Sequence, residues 1–268
     1  MLAQIKSTAS FILDKAAGFQ PEVGVILGTG LGGFADVIKV HTVIDYHDIP
    51  GFPVSTVEGH KGRLILGHVG EKRVVAMQGR FHFYEGYPAQ TVVFPVRVMK
   101  FLGIKYLFVS NASGGVNPDF RTGDLMLIKD HINLIPNPLI GPNIEELGPR
   151  FPDMNECYDP ALIALARRTA EKLGIALQSG CYVGGTGPTF ETQHEYGYFR
   201  AIGGDTAGMS TTPEVIAARH MGIPVFGVSV ITNMGLEGMK STHEEVQVEG
   251  AKAGKRMTAL FEEMIKTL

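Results

Sequence analysis

The sequence predicts an α/β fold, a single domain over residues 1–268 with a central mixed β-sheet flanked by helices. Three observations lead there. Short apolar runs of strand length alternate with helical patterns along the chain. Two of the runs, Arg63 to Val69 and Lys72 to Gln78, are joined by only Gly70-Glu71, the signature of an antiparallel hairpin. The composition, 44% hydrophobic and 19% charged over 268 residues, is that of a chain able to bury one large core.

The elements follow in order. Leu2, Ile5, Ala9, Ile12, Leu13 and Ala16 recur at helical spacing, with Gly18 as a stop, and predict an amphipathic first helix. Val23 to Leu27 is a short strand ending in a glycine cluster. After the hairpin, strands are expected at Lys105 to Ser110, Leu125 to Lys129, Leu177 to Val183 and Val225 to Thr232, with helical segments between several of them. Asp159-Pro160 supplies an N-cap and a first-turn proline for a helix that Gly174 ends. Thr192 with Glu195, and Thr242 with Glu245, match capping boxes, and Pro213 and Gly222 bracket a further helix. The stretch 136–152 holds five prolines and two glycines and reads as a long surface loop.

Several classes of function are disfavoured at once. A formal net charge of −3, with Lys and Arg scattered, leaves no basic face for nucleic acid. The two cysteines, Cys157 and Cys181, form no CxxC pair, so a reduced, cytoplasmic protein without a structural metal is expected. The N-terminus lacks a signal-peptide pattern, and no apolar run is long enough to span a membrane.

Candidate chemistry sits at strand ends. Gly28 to Gly33 satisfies GxGxxG after a strand, and suits a dinucleotide pyrophosphate, a single phosphate or a plain tight turn. For a dinucleotide, Asp45 and Asp48 both come somewhat early for the ribose-binding acid, which leaves the fingerprint imperfect. Arg80, His82 and Tyr84 alternate at the end of a strand, so a guanidinium, an imidazole and a phenol can converge on an oxyanion beside a hydroxylated ring. No metal is expected at His82, for want of a carboxylate or second histidine at ligand spacing. Asn111 to Gly115 is a run of small residues that reads either as a turn or as a backbone pocket lining containing Ala112. Phe190-Glu191 offers an aromatic face and a carboxylate to a planar base with an N–H donor. Ser210, after Met209, lies near a helix start where phosphate can dock. Thr232-Asn233 ends an apolar strand, and His243 lies just inside the helix capped by Thr242.

Taken together, LGTGLG, GHKGRL, MQGRFHFYEG, NASGG, GPTFET, GMSTTPE, ITN and HEEV occur in unbroken order and resemble the motifs of the low-molecular-mass, homotrimeric purine nucleoside phosphorylase family. The resemblance implies reversible phosphorolysis of inosine- and guanosine-type nucleosides, with inorganic phosphate as co-substrate and no cofactor or metal. It implies that Thr29, Arg80, His82, the Ala112 backbone and Ser210 hold phosphate, with His60 supporting the phosphate-side loop. Tyr84 and Met209 would meet the ribose, and His243 its 5′-hydroxyl. Phe190, Glu191 and Asn233 would hold the purine. Among these, Asn233, Glu191, His82 and His243 are the implied catalytic groups, and Phe151 would reach across a trimer interface to cover the neighbour's sugar. One departure is Met234, where some family members carry lysine. The rival readings are a methylthioadenosine phosphorylase, which carries aspartates where this chain reads TNMG, a dinucleotide-dependent oxidoreductase, and a silent purine-binding protein.

Overall fold

The computed structural model describes residues 1–29, 31–57, 61–235 and 242–268, with His243 described by its backbone alone. The first helix, α1 (Leu2–Lys15), is followed by the strand β1 (Val23–Leu27), the edge strand β2 (Lys39–Asp45) and the hairpin β3 (Arg63–Val69) and β4 (Lys72–Gln78). Then come the short α2 (Ala89–Val92), α3 (Phe94–Leu102), β5 (Tyr106–Gly115) and β6 (Leu125–Asn133). The remainder is α4 (Pro160–Leu173), β7 (Leu177–Gly184), α5 (Gln193–Ala201), β8 (Thr206–Gly208), α6 (Thr212–His220), β9 (Val225–Met234) and α7 (His243–Thr267).

Among the described residues the nine strands form one mixed sheet in the order β2-β3-β4-β1-β5-β8-β7-β6-β9. β1 runs parallel to both β4 and β5, whereas β3 and β4 are the expected antiparallel hairpin. A further parallel pairing of β5 with β9 closes the second half of the sheet on itself. Closure removes two edges that would otherwise stand unpaired.

All five residues of β1 are buried, as a strand covered on both faces requires. Val23, Val25 and Leu27 face α4 and α7, where Phe108, Phe226 and Phe261 meet with ring centroids 5.2–5.7 Å apart. Ile26 faces the opposite layer, built by Ile5 and Ile12 of α1 and by Val98 and Leu102 of α3. The predicted caps are present: the Asp159 carboxylate accepts from Leu162 N–H, and Thr192 and Thr242 each form a reciprocal box with the glutamate three residues on.

The structure corrects several expectations. Asn111 to Gly115 is not a turn but the second half of β5, hydrogen-bonded to β9 and β8. Small residues are there because strands pack closely, not because the chain reverses. The glycine cluster leads into a single 3-10 segment, Gly32–Val37, instead of an α-helix, so the dipole-bearing helix of a dinucleotide fingerprint is missing after β1. Asp45 closes β2, an antiparallel edge strand, and is not on a parallel neighbour of β1. β2 itself was not expected: Val40, Thr42, Val43 and Ile44 are β-branched, but only Ile44 is buried, so no apolar face marks the strand.

Candidate active site

Open α/β sheets place ligands beyond the carboxyl ends of their parallel strands. Here the ends of β1, β4, β5 and β9 surround a cavity of about 450 Å³ lined by both polar and apolar side chains. Gly28 makes this convergence possible: a Cβ there would lie 2.8 Å from the Ser110 carbonyl oxygen and 2.9 Å from the Asn111 Cα. Only glycine lets β1 approach β5 so closely.

The first pole of the cavity is built for an anion. Arg80 is 1% exposed. Its Nε–H and Nη2–H donate to the two carboxylate oxygens of Glu214, and its Nη1–H donates to the Ser110 carbonyl. A bidentate fork of this kind fixes the guanidinium plane. Glu214 lies in the first turn of α6 and is 3% exposed. His82 is held by Glu85, whose Oε1 accepts from the His82 backbone N–H at 2.7 Å and lies 3.2 Å from His82 Nδ1. Burial pushes the Glu85 carboxyl up, but hydrogen bonds from His82 and Thr56 hold it down at about 2. Burial holds the His82 imidazole below its usual 6.5, with Glu85 opposing in part. His82 is therefore neutral near pH 7. With Nδ1–H donating to the carboxylate, Nε2 is the acceptor nitrogen.

Ser210 completes this pole from the other side. Its backbone N–H donates to the Tyr182 hydroxyl at 3.2 Å, and its hydroxyl lies 3.1 Å from Thr211 Oγ1. Thr211, the N-cap of α6, has φ +67°, a conformation costly for a β-branched residue. Asn111 Nδ2 donates to its Oγ1 at 2.9 Å, and Asn111 Oδ1 in turn accepts from Ser229. The strained turn is thus fixed from β5 and β9, and with it the placement of Ser210 at the helix start.

The second pole combines an aromatic ring with a carboxylate and an amide, groups able to meet the edge of a planar ring. Phe190 is 41% exposed and offers its face; Glu191 and Asn233 line the same wall. Burial raises the Glu191 carboxyl above 4.5, opposed by its own backbone N–H and by the Tyr196 hydroxyl. The Thr232 hydroxyl donates to Asn233 Oδ1 at 3.2 Å, which orients the amide. Between the poles, Tyr84 stacks on His82 with centroids 4.6 Å apart, and Met209 Sδ and Tyr84 both crowd the point where a Gly187 side chain would begin.

The structure therefore gathers Thr29, Arg80, His82, Tyr84, Ala112, Phe190, Glu191, Met209, Ser210 and Asn233 around one cavity. The route to it differs in one respect: β4 stops at Gln78, and the φ of +119° at Gly79 turns the chain, so Arg80, His82 and Tyr84 converge from a loop and a 3-10 turn, not from strand alternation. The expectation that no carboxylate lies near His82 is wrong, since Glu85 contacts the ring; its oxygens are spent on His82 and Thr56. Phe151 stands apart from this cavity, 87% exposed beside a second recess with His131 and Ile140. His60 lies outside the described residues, as does the side chain of His243. Sequence reasoning missed Glu214, Glu85, Tyr182 and Tyr196. Glu214 sits inside the GMSTTPE motif, and Glu85 inside MQGRFHFYEG, but nothing in the sequence tells their partners.

Among the described residues, the one trio of groups close enough to share a metal is Asp45, His47 and Asp48, all exposed. None of them lines the cavity.

The model of the phosphorylase superfamily matches residues 22–266. The chain is 51% identical over 259 residues to purine nucleoside phosphorylase 1 of Bacillus subtilis, covering 95% of each chain. It is 48% identical over 262 residues to the purine nucleoside phosphorylase of Bos taurus, covering 94% of this chain and 90% of that one. Two solved structures of Schistosoma mansoni purine nucleoside phosphorylase superpose closely. The complex with adenosine has a TM-score of 0.94 at 44% identity and covers 98% of this chain and 96% of that one. The complex with inosine has a TM-score of 0.94 at 43% identity and covers 99% and 96%. With identity of this order spread over nearly the whole chain and the same fold throughout, this protein belongs to the purine nucleoside phosphorylase family.

Proposed function

We propose that the chain catalyses the reversible phosphorolysis of 6-oxopurine ribonucleosides and deoxyribonucleosides, releasing the free base and a pentose 1-phosphate. One observation carries this reading: an anion pole and a base-edge pole line a single cavity, with Tyr84 and Met209 on the wall between them.

The chemistry follows from those poles. Breaking the glycosidic bond leaves positive charge on the sugar and negative charge on the base. Phosphate held by Thr29, Arg80, the Ala112 backbone and Ser210 faces the developing cation and then captures the anomeric carbon. Neutral His82 accepts a hydrogen bond at Nε2 from the P–O–H of hydrogen phosphate; after bond transfer the sugar phosphate releases that proton while the base anion takes one up at N7. Asn233 stabilises N7 of the departing base while Glu191 accepts from N1–H. These are preorganised charges and dipoles aimed where charge develops, so neither a covalent enzyme nucleophile nor a cofactor is required. Phosphorus NMR of the product of inosine tests the reaction class: pentose 1-phosphate is expected, and free pentose with unchanged phosphate would make the protein a hydrolase.

The acid side of the pH profile has a defined sign. Glu191 acts as an acceptor and His82 acts unprotonated, so kcat/KM for inosine should fall as pH drops through both groups. Burial keeps the His82 component below 6.5 and the Glu191 component above 4.5. A pH profile of parent and Glu191→Gln checks this. The variant should lose the Glu191 component, and identical acid limbs would remove Glu191 from the rate.

A homotrimer is proposed, with Phe151 covering the sugar in a neighbour's site. Support comes from the exposure of this ring and of Ile140, 66% exposed, beside the recess they share. Phe151→Ala should raise KM for inosine by an amount worth roughly 1–3 kcal/mol of lost apolar cover. Sedimentation should give a trimer, and a fully active monomer would contradict the shared site. We also place the protein in the cytoplasm, in keeping with its free thiols Cys157 and Cys181.

A further inference from the structure

The Tyr196 hydroxyl has no role in the chemistry so far, yet it is placed with care. Of the nine residues of α5, only Tyr196 and Phe199 are buried, and both pack with Val116, Val183 and Ala207. Phe199 does so with a plain ring, so packing alone does not call for a phenol at 196. A buried phenol oxygen needs partners. A Cβ on Gly114 would lie 3.2 Å from the Tyr196 oxygen and 3.2 Å from Asn233 Nδ2, so both groups hang over the same point of β5. The ring is pressed against Gly235 as well, where a side chain would collide with three of its carbons. Glu191 lies five residues earlier, and the Thr192–Glu195 capping box fixes the turn between them.

We propose that Tyr196 is a positioning residue for base recognition: Asn233 Nδ2–H donates to its oxygen and its O–H donates to the Glu191 carboxylate, tying the two base-facing groups into one unit. The inference rests on the proposed base site. With the Thr232 hydroxyl on Asn233 Oδ1, the donors run in one direction, from Thr232 through Asn233 and Tyr196 to Glu191. One Glu191 oxygen is then engaged by the phenol, and the other stays ionised and aimed at a purine N1–H. Glu195 is the other charged group acting on Glu191; its carboxylate is turned back onto the Thr192 N–H. Tyr196 thus opposes the burial that drives Glu191 towards the protonated form. A protonated Glu191 would donate to the bare N1 of adenine, so the phenol also maintains the preference for 6-oxopurines.

Tyr196→Phe keeps the ring and removes only the link. Losing a hydrogen bond to a charged acceptor should lower kcat/KM for inosine about tenfold, chiefly through KM. The adenosine-to-inosine ratio of kcat/KM should rise, and the acid limb for inosine should move to higher pH. Phosphate KM and Tm should stay near parental values, since the anion pole is untouched. On a Glu191→Gln background the same change should add little, because the two act together. An unchanged ratio with an unmoved acid limb, or a loss shared equally by phosphate KM and Tm, would overturn the positioning role. Should Glu191→Gln itself leave inosine turnover intact, the base assignment fails first, and this inference with it.

Discussion

Arg80→Ala is expected to abolish useful turnover and to destabilise the fold in the same step. Removing a preorganised donor from the site of developing charge costs on the order of 10² to 10³ in kcat. The structure adds the second effect. Glu214 is 3% exposed, and its two oxygens both accept from Arg80. Without the guanidinium a buried carboxylate is left uncompensated, a loss of about 3–5 kcal/mol of stability. The two effects separate in the double variant Arg80→Ala with Glu214→Ala, which removes the stranded charge. Stability should recover in part while turnover stays lost. Denaturant midpoints and phosphate-dependent kinetics check both. An Arg80→Ala protein that is as stable and as active as the parent would reduce the ion pair to a surface-like contact, despite its burial.

The second large effect concerns the choice of base. A 6-oxopurine presents an acceptor at O6 and a donor at N1, whereas adenine presents a donor at N6 and a lone pair at N1. Glu191 as a carboxylate matches the first pattern and faces a lone pair in the second. A pocket whose buried polar groups are left unpaired by the wrong ligand can reject it by as much as ~10⁴. The discrimination is to be read in kcat/KM. Asn233→Asp puts an acceptor where adenine has its N6 donor. The adenosine-to-inosine ratio should rise, mainly because inosine turnover falls. Both substrates measured at saturating phosphate decide it, and an unchanged ratio would take Asn233 out of base recognition.

The fold was legible wherever one physical signal dominated. α1 declares itself by the spacing of Ile5, Ala9 and Ile12, the hairpin by Gly70-Glu71, and α4 by Asp159-Pro160 and Gly174. Several strands run longer than their apolar cores. β5, β6 and β9 continue through Gly115, Asn133 and Met234, beyond the apolar runs, because small and polar residues there still pair with neighbouring strands. The three-residue β8 is too short to show a pattern, and the edge strand β2 is rich in β-branched residues but has no buried face to set an alternation.

The candidate site divides along a similar line. The residues proposed to touch ligand stand at strand ends and helix starts and are legible one by one, helped by the order of the motifs. Their partners were not. Glu214 is 134 residues from Arg80, and Thr211 meets Asn111 across 100 residues, distances at which sequence spacing says nothing. Glu85 is only three residues from His82, yet it reads as an ordinary exposed acid until the capping geometry turns its carboxylate inward. No sequence motif singles out Tyr196, and its hydroxyl acquires meaning only when β5 and β9 bring Gly114 and Asn233 beneath it.

Phosphorolysis, unlike hydrolysis, requires inorganic phosphate. Purified protein, freed of phosphate by exchange into another buffer, is incubated with inosine, and hypoxanthine release is followed with and without added inorganic phosphate. Release should be confined to the samples with phosphate and should saturate with its concentration. Equal release in its absence, or none in its presence from folded protein, would contradict the assignment of the Arg80, His82 and Ser210 pole to a phosphate that takes part in the reaction.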